Sequence, residues 1–219
     1  GESVWLGMFL VLTLKEFAKV AEMIGDTSLC EEYQEQAKEL IENIENHAWN
    51  GKWYIRAFYD DGSAMGDIGA DECEIDLLPQ SFAVLADMPN HERRKTALKN
   101  AYSRLVDKEN GIIKLFSPPF KEHGKETGYV NAYPEGIREN GGQYSHASMW
   151  FVKALFKEDM IEEAWQAIKI LNPANKYNEA KTAVKYKTEP YAFAGDVYSA
   201  KGMEGRGGWS LYTGAAGWF

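Results

Sequence analysis

The sequence predicts a mainly α-helical protein built from antiparallel helix pairs, with long loops and a few short strands between them. Apolar residues recur at helical spacing in two consecutive N-terminal segments, residues 2–23 and 27–47. Two later segments, residues 143–156 and 159–171, repeat this arrangement across a very short break. Consecutive helices with short connections pack as antiparallel neighbours, so both pairs are predicted to form helical hairpins.

The N-terminal half is predicted to contain four helices. Ser3 is a candidate N-cap of the first helix, and Thr27 or Ser28 of the second, because a hydroxyl oxygen there can accept from a free N–H group. Pro79 is compatible with the third helix only near its start, since proline lacks the N–H that an interior position needs. The predicted elements are helices at 2–23, 27–47, 75–85 and 90–106, and an extended segment at 53–59 that ends in a turn at 60–62.

The C-terminal half is predicted to be richer in loops. Residues 118–142 form a long stretch rich in Pro, Gly and Tyr, and loops of this length in compact domains are usually functional or disordered. The predicted elements are a short strand at 112–116, helices at 143–156, 159–171 and 179–186, an extended segment at 189–198, and a final helix after the glycine loop at 205–208.

The composition indicates a folded globular protein and argues against several function classes. Hydrophobic residues make up 45% of the 219-residue chain, which is typical of a globular domain. The formal net charge is −9, and the basic residues cluster in sequence only at 91–95, so a nucleic-acid partner is not expected. Cys30 and Cys73 show neither a disulfide framework nor a metal-ligand spacing, so no metal is predicted. The apolar run at residues 4–14 is shorter than the roughly 20 residues of a transmembrane helix.

The aromatic content is high, with seven Trp and twelve Tyr residues in an aromatic fraction of 13%. A large aromatic core would explain this fraction. Carbohydrate binding would explain it equally well, because flat rings stack on the apolar faces of sugars while their polar tips bond hydroxyl groups. Composition alone leaves both interpretations open.

Two glycine-bearing segments carry the strongest functional signal. Residues 138–146 read Arg-Glu-Asn-Gly-Gly-Gln-Tyr-Ser-His, and residues 205–214 read Gly-Arg-Gly-Gly-Trp-Ser-Leu-Tyr-Thr-Gly. Glycine lets a backbone approach a ligand closely, and exposed N–H groups there can hold an anion. His146 and Thr213 could donate hydrogen bonds to the same anion. The alternative interpretation is two tight turns beside a core histidine.

Motifs that recur in a fixed order along nearly the whole chain relate it to a known family. They are residues 1–6, 60–62, 71–76, 80–81, 138–146, 171–173, 187–191, 196–199 and 205–218. In these motifs the chain resembles the inverting phosphorylases of the cellobiose-phosphorylase type. The nearest likeness is to the β-1,2-glucan branch, which contains 1,2-β-oligoglucan phosphorylases and the C-terminal region of cyclic β-1,2-glucan synthases. Gly195 supports this branch, since cellobiose-type members tend to carry a glutamine near that position.

The resemblance implies an (α/α)6 barrel whose active site lies in a cleft at one end. The predicted helices are too few for a complete toroid of helix pairs. The sequence also opens directly on a helix and stops within an apolar stretch. We therefore expect residues 1–219 to be the C-terminal part of one catalytic barrel that is truncated at both ends.

The same resemblance implies specific roles for the glycine-bearing segments. His146 and Thr213 match the family's phosphate ligands, and the N–H of Gly214 is a candidate helper. Inorganic phosphate would be a co-substrate, and no cofactor is expected. The family's general acid is the last Asp of an Asp-Trp-Asn-Asp motif, which is expected upstream of Gly1 and does not occur in this sequence. We therefore expect no catalytic acid within this chain and no catalysis by these residues alone.

Several acidic, amide and aromatic side chains near these motifs are candidates for binding the sugar. Carboxylates and amides can bond sugar hydroxyl groups, and aromatic rings can stack on sugar rings. For the acidic residues, ordinary helix caps and loop contacts are the alternative. The candidates are Gln80, Glu139, Gln143, Tyr144, Glu189, Asp196 and Trp209.

The leading hypothesis is part of an inverting β-glucan phosphorylase, which cleaves a β-glucosidic bond, β-1,2 by resemblance, with inorganic phosphate and releases α-glucose 1-phosphate. The alternatives are an inverting hydrolase, in which a carboxylate such as Glu139 activates water, and a non-catalytic glucan-binding fragment. The expected partners are a β-glucan oligosaccharide, phosphate and the remainder of the barrel, with a second copy of the chain as a further candidate. The expected location is the cytoplasm, or the cytoplasmic face of the inner membrane for a synthase.

Overall fold

The computed structural model describes residues 1–121 and 127–219, and this part of the chain is mainly helical, which confirms the predicted fold class. The helices are α1 (Val4–Met23), α2 (Thr27–His47), α3 (Leu77–Leu85), α4 (His91–Leu105), α5 (Ser145–Lys157), α6 (Ile161–Leu171), α7 (Ala180–Tyr186) and α8 (Ala215–Trp218).

The strands are two residues long, and they pair in small antiparallel sheets that tie the loops to the helix ends. They are β1 (Glu2–Ser3), β2 (Ala57–Phe58), β3 (Ala64–Met65), β4 (Ile75–Asp76), β5 (Val106–Asp107), β6 (Ile112–Ile113), β7 (Phe116–Ser117), β8 (Gln143–Tyr144) and β9 (Asp196–Val197). The pairs are β1 with β2, β2 with β3, β4 with β7, β5 with β6, and β8 with β9.

Two helical hairpins enclose one apolar core. α1 packs against α2, and α5 packs against α6, as the hairpin predictions required. α3 lies between the hairpins and contacts both α1 and α5. Met8, Phe82 and Phe151 are buried in the core that these helices share. Removing such apolar surface from water stabilises the arrangement by roughly 25 cal/mol per Å².

The caps of the first two helices differ from the prediction. Asp26 caps α2 in place of Thr27 or Ser28, because its carboxylate accepts the Leu29 N–H at 3.0 Å. A carboxylate here also interacts favourably with the positive end of the helix dipole. Ser3 stands at the N-cap position of α1, but its side chain makes no capping bond.

Both predicted extended segments are largely irregular. Within 53–59 only β2 pairs as a strand, and within 189–198 only β9 does. The reason in the first segment is burial: the Trp53 ring is fully enclosed, and its Nε1–H donates to the Gly66 carbonyl at 2.9 Å. Trp53, Tyr54 and Ile55 are buried in succession, so this segment does not show the alternating burial of a strand with one side on the core.

The long loop of residues 118–142 is closed by one buried amide. The Asn140 side chain accepts the Phe120 N–H at 2.8 Å and donates to the Phe120 carbonyl at 3.0 Å and to the Tyr133 carbonyl at 2.8 Å. A short 3-10 helix covers Gly128–Ala132. Residues 122–126, which the loop prediction includes, lie outside the described residues.

α1 presents an uncovered apolar stripe on the side away from the core. Leu6, Leu10, Phe17 and Val20 follow one another at helical spacing, and each is about half exposed. Within residues 1–121 and 127–219, neither this helix nor any other is long and apolar enough to cross a membrane.

Candidate active site

The two glycine-bearing segments lie on opposite sides of strand β9. On one side, β8 pairs with β9 so that Tyr144 stands opposite Asp196. On the other side, the Gly208 N–H donates to the Asp196 carbonyl at 2.8 Å. β9 therefore joins residues 138–146 to residues 205–214, which are about 60 positions apart in the sequence.

Glycine is required at one position in each of the two segments. A Cβ on Gly208 would overlap the carboxylate of Asp196, so any other residue would displace that side chain. A Cβ on Gly142 would lie 2.8 Å from the Arg138 carbonyl oxygen. Contacts this short are repulsive, so glycine is needed at both positions because a Cβ does not fit.

His146 lies in the first turn of α5 against the end of the second glycine-bearing segment. The imidazole is half-buried, and its ring centroid is 4.5 Å from that of Trp150 and 6.0 Å from that of Trp218. A Cβ on Gly214 would be 3.3 Å from the imidazole Cε1. The structure thus brings His146 and Gly214 into contact.

The imidazole is left with unused hydrogen-bonding capacity. Its Nε2 is buried and has no hydrogen-bond partner in the described part of the chain. Burial lowers the pKa of His146 below its ordinary value of 6.5, so the neutral ring is favoured at neutral pH. A neutral imidazole can donate from one nitrogen to an anion, and the positive end of the α5 dipole favours an anion there. The Ser145 N–H at the start of α5 is already used, because it donates to the Gly195 carbonyl at 3.0 Å.

Thr213 is half-exposed next to Gly214, and its Oγ1 accepts the Ala215 N–H at 3.1 Å. The hydroxyl hydrogen therefore stays available for another acceptor. The imidazole, the hydroxyl and the first turn of α5 together could hold a small anion.

Asp196 and Glu139, one from β9 and one from the first glycine-bearing segment, interact electrostatically. Asp196 is 4% exposed, and its Oδ1 accepts the Trp209 N–H at 3.2 Å. Burial raises the pKa of Asp196, the Trp209 N–H and the positive charge of Arg138 lower it, and the negative charge of Glu139 raises it further. Asp196 Oδ2 and Glu139 Oε2 are both buried and lack a partner with good hydrogen-bond geometry among residues 1–121 and 127–219. The backbone N–H of Arg138 also lies near the Asp196 carboxylate and contributes to lowering its pKa.

Exposed aromatic rings border the carboxylates. The Arg138 guanidinium lies 3.6 Å above the centroid of the Trp209 ring, and Tyr212 packs edge-on against Trp209 at 5.3 Å. Tyr144, Trp209 and Tyr212 all keep large exposed areas. Flat, exposed rings beside hydrogen-bonding groups are the surface expected to contact a sugar.

The predicted sugar ligands Gln80 and Gln143 have internal partners, and their geometry does not support that role. Gln80 is fully buried, where it accepts the Tyr54 N–H at 2.9 Å and donates to the Tyr54 carbonyl at 2.8 Å. Gln143 is also buried, and it accepts the Ile113 N–H at 3.0 Å. Amides that satisfy backbone groups in this way stabilise the fold.

Glu189 lies beside the second glycine-bearing segment, where it interacts with Ser210. A hydrogen bond from the Ser210 hydroxyl lowers the pKa of Glu189. The Glu189 Oε2 atom is buried and has no hydrogen-bond partner in the residues that the structure describes. Glu189 therefore keeps one acceptor for a ligand.

Tyr212, Trp150 and Trp218 are parts of this site that the sequence did not single out. Tyr212 adjoins Thr213 in the same motif, which was a usable signal. Trp150 and Trp218 pack around His146 from two different helices, and helical spacing alone would assign them to the core. Within the described residues, no group of three or more His, Cys, Asp or Glu side chains could hold a metal ion.

A family model described as "Glycosyl hydrolase 94 superfamily, catalytic domain" matches residues 1–219. The chain is 39% identical over 218 residues to the cyclic beta-(1,2)-glucan synthase NdvB of Rhizobium meliloti (strain 1021), covering 100% of this chain and 8% of that protein. It is 31% identical over 220 residues to a solabiose phosphorylase of Paenibacillus borealis, covering 100% of this chain and 28% of that protein.

A third relative is an N,N'-diacetylchitobiose phosphorylase of Vibrio furnissii. It is 28% identical over 221 residues, which cover 100% of this chain and 27% of that protein. The chain therefore spans less than a third of the length of each of these curated relatives.

Proposed function

This chain belongs to the glycosyl hydrolase 94 superfamily, and we propose that it forms part of the catalytic domain of an inverting β-glucan phosphorylase. The complete protein would cleave a β-glucosidic bond with inorganic phosphate and release α-glucose 1-phosphate. The observation that carries the proposal is the contact between His146 and Gly214, which come from two distant segments. Phosphorylases among the relatives support the reaction type.

Phosphate would bind beside the His146 imidazole and Gly214, where the hydroxyl of the adjacent Thr213 could also donate to it. Phosphate is already a nucleophile, so the protein needs to position it and balance its charge without activating a water molecule. The unpartnered Nε2 of His146 supports this site, because it is a buried group that a ligand oxygen could satisfy.

The sugar would bind against the carboxylates and exposed rings next to the phosphate. Glu139, Asp196 and Glu189 supply free acceptors for hydroxyl groups, while Tyr144 and Trp209 supply flat surfaces. A β-1,2 linkage is supported by the 39% identity with a protein named as a cyclic beta-(1,2)-glucan synthase. We assign no carboxylate of this chain as the general acid that protonates the leaving oxygen.

The rest of the catalytic domain would complete an (α/α)6 barrel and cover α1. The apolar stripe on α1 supports this arrangement, because exposed apolar stripes of this kind usually pack against another element. The relatives are several times longer than this chain, which leaves ample sequence for such a segment.

The reaction class is tested by following sugar release from β-1,2-glucan oligosaccharides by the complete protein, with and without phosphate. We expect phosphate-dependent release of α-glucose 1-phosphate, with the α anomer identified by NMR. Release that does not depend on phosphate would indicate an inverting hydrolase instead. A β-configured product would contradict the inverting mechanism.

The phosphate site is tested by His146→Ala in the complete protein. Charge-assisted hydrogen bonds contribute about 1.5–3 kcal/mol, so the KM for phosphate should rise by roughly ten- to a hundredfold. The KM for the glucan should change much less. His47→Ala, at an exposed histidine at the end of α2, is the matched control. Equal increases in both KM values for His146→Ala would contradict the role assigned to this residue.

A further inference from the structure

The imidazole of His146 stands in a corner between two tryptophan rings. Its centroid is 4.5 Å from that of Trp150, one turn further along α5, and 6.0 Å from that of Trp218 in α8. The two indole planes are 87° apart, and the imidazole plane is tilted by 49° from the first and 45° from the second. Gly214 also touches this ring, since a Cβ there would lie 3.4 Å from Nδ1.

No hydrogen bond at Nε2 holds the imidazole in place, because this buried atom has no partner among the described residues. The χ2 torsion of a histidine has broad and roughly twofold minima, so the bonds of the side chain leave the ring free to turn. The groups packed around the ring therefore decide which way Nε2 points. In this structure those groups are Trp150, Trp218 and Gly214.

Helix geometry explains why the indole of Trp150 lies against the imidazole. Residues four positions apart lie on the same face of a helix, as His146 and Trp150 do in α5. A long helical side chain also leans toward the N-terminus, so the indole covers the turn before its own. The same spacing relates Gly214, the N-cap of α8, to Trp218.

Trp150 is itself held by aromatic residues of two other helices. Phe82 of α3 is buried and packs edge-on against Trp150, with ring centroids 5.2 Å apart. Trp5 of α1 lies 6.4 Å from Trp150, centroid to centroid. Edge-to-face and tilted pairs of this kind stabilise a fixed ring geometry. The packing of α1, α3 and α5 therefore sets the place of the indole that the imidazole rests on.

We propose that Trp150 and Trp218 are positioning residues, whose rings keep Nε2 of His146 turned toward the phosphate. This inference rests on the proposed function, because it concerns how the same phosphate site is built. A donor that is already held in its bound orientation does not have to be ordered when the ligand binds, so affinity increases. Neither tryptophan has to touch the phosphate, since each acts through the imidazole.

The test measures phosphate binding to the complete protein by equilibrium dialysis with radiolabelled inorganic phosphate. Trp150→Leu removes the flat ring and keeps an apolar side chain, and we expect it to weaken phosphate binding by about tenfold. Trp150→Phe restores an aromatic face and should bind phosphate within about threefold of the wild type. Trp218→Leu changes a ring that is 47% exposed, which favours folding of the variant, and it should also weaken phosphate binding.

Two comparisons separate positioning from ordinary core packing. Phe151→Leu is the matched control, because Phe151 is fully buried at the next position of α5, about 100° around the helix from Trp150. It should lower the melting temperature and leave phosphate binding within about twofold of the wild type. In the His146→Ala background, Trp150→Leu should weaken phosphate binding by less than about twofold, because the side chain through which it acts is gone.

The inference is overturned if Trp150→Leu weakens phosphate binding equally with and without His146, or if Phe151→Leu weakens it as much. Its failure differs from that of the proposed function. A wild type that binds no phosphate would contradict the phosphate site and the inference with it. Phosphate binding that Trp150→Leu and Trp218→Leu both leave unchanged would support the site and refute the positioning role.

Discussion

At the residue scale, the buried polar side chains differ in whether all their hydrogen-bonding atoms have partners within the described residues. Gln80, Gln143 and Asn140 are buried and bonded to backbone groups. Glu139 is half-buried and Asp196 is buried, and one buried carboxylate oxygen of each has no hydrogen-bond partner among the described residues. An unpaired buried acceptor destabilises the free protein. We therefore interpret Glu139 and Asp196 as residues that serve ligand binding at a cost in stability.

Asp196→Asn is expected to stabilise the complete protein while impairing its activity. Asparagine keeps the oxygen that accepts the Trp209 N–H and removes the buried charge, so the free energy of unfolding should rise by about 1 kcal/mol. Urea unfolding and kcat/KM for the glucan measure the two effects.

Asp76→Asn is the matched control for that experiment. Asp76 is also buried, but its carboxylate is ion-paired with Arg56. Removing one partner of such a pair leaves an unpaired guanidinium, so this variant should lose about 3 kcal/mol. A loss of similar size for Asp196→Asn would show that Asp196 is a structural residue.

The stability contributed by His146 should depend on pH in a defined direction. Burial lowers its pKa below 6.5, so the unfolded chain takes up a proton first as the pH falls. The wild type should therefore lose stability relative to His146→Gln as the pH falls below 6.5. Urea unfolding in phosphate-free buffer measures this, with His47→Gln as the control for an exposed histidine. If the difference in unfolding free energy between the wild type and His146→Gln does not vary with pH, the imidazole is not buried as the structure shows.

At the element scale, helices were predicted more accurately than extended segments. Asn90 was predicted to open α4, and it is the N-cap of the helix that begins at His91, because a cap bonds groups within four residues of itself. The extended segment at 189–198 was mostly irregular, because its conformation depends on β8 and on residues 207–210. Those partners are distant in sequence, so local propensity does not report them.

Gly208→Ala is expected to disrupt the junction around β9. The added Cβ would overlap the Asp196 carboxylate, and overpacking of this kind costs about 1–3 kcal/mol. Thermal unfolding should show that loss, together with a strong fall in activity. Gly217→Ala in α8 is the control, since a Cβ there meets no atom within 4 Å in the described structure. An unchanged melting temperature for Gly208→Ala would refute the close packing of the two segments.

At the scale of the whole molecule, the apolar face of α1 is the feature that the described residues leave unexplained. The core lies on the other side of this helix, where Met8, Val11 and Leu14 are buried. The opposite face still carries large apolar side chains at helical spacing. We propose above that another part of the catalytic domain packs there.

Leu10→Glu tests this arrangement in the complete protein. Leu10 is 48% exposed in this structure, so a charge there would be tolerated if the face stays in water. If the face is covered, burying a carboxylate should destabilise the protein by more than about 2 kcal/mol. The control is Lys19→Glu on the same helix, which breaks a surface ion pair worth at most about 1 kcal/mol. Equal effects of the two variants would mean that α1 faces solvent.

The sequence by itself determined the helical class, the helix positions and the two segments that carry the site. These depend on periodicity and on residue types that act over a few neighbouring positions. Only the tertiary structure decided which polar side chains remain free for a ligand. Gln143 and Glu139 stand four residues apart in one motif, yet the backbone of β6 satisfies the first and leaves the second unsatisfied. That difference depends on the group that packs opposite each side chain, and segments distant in the sequence supply those groups.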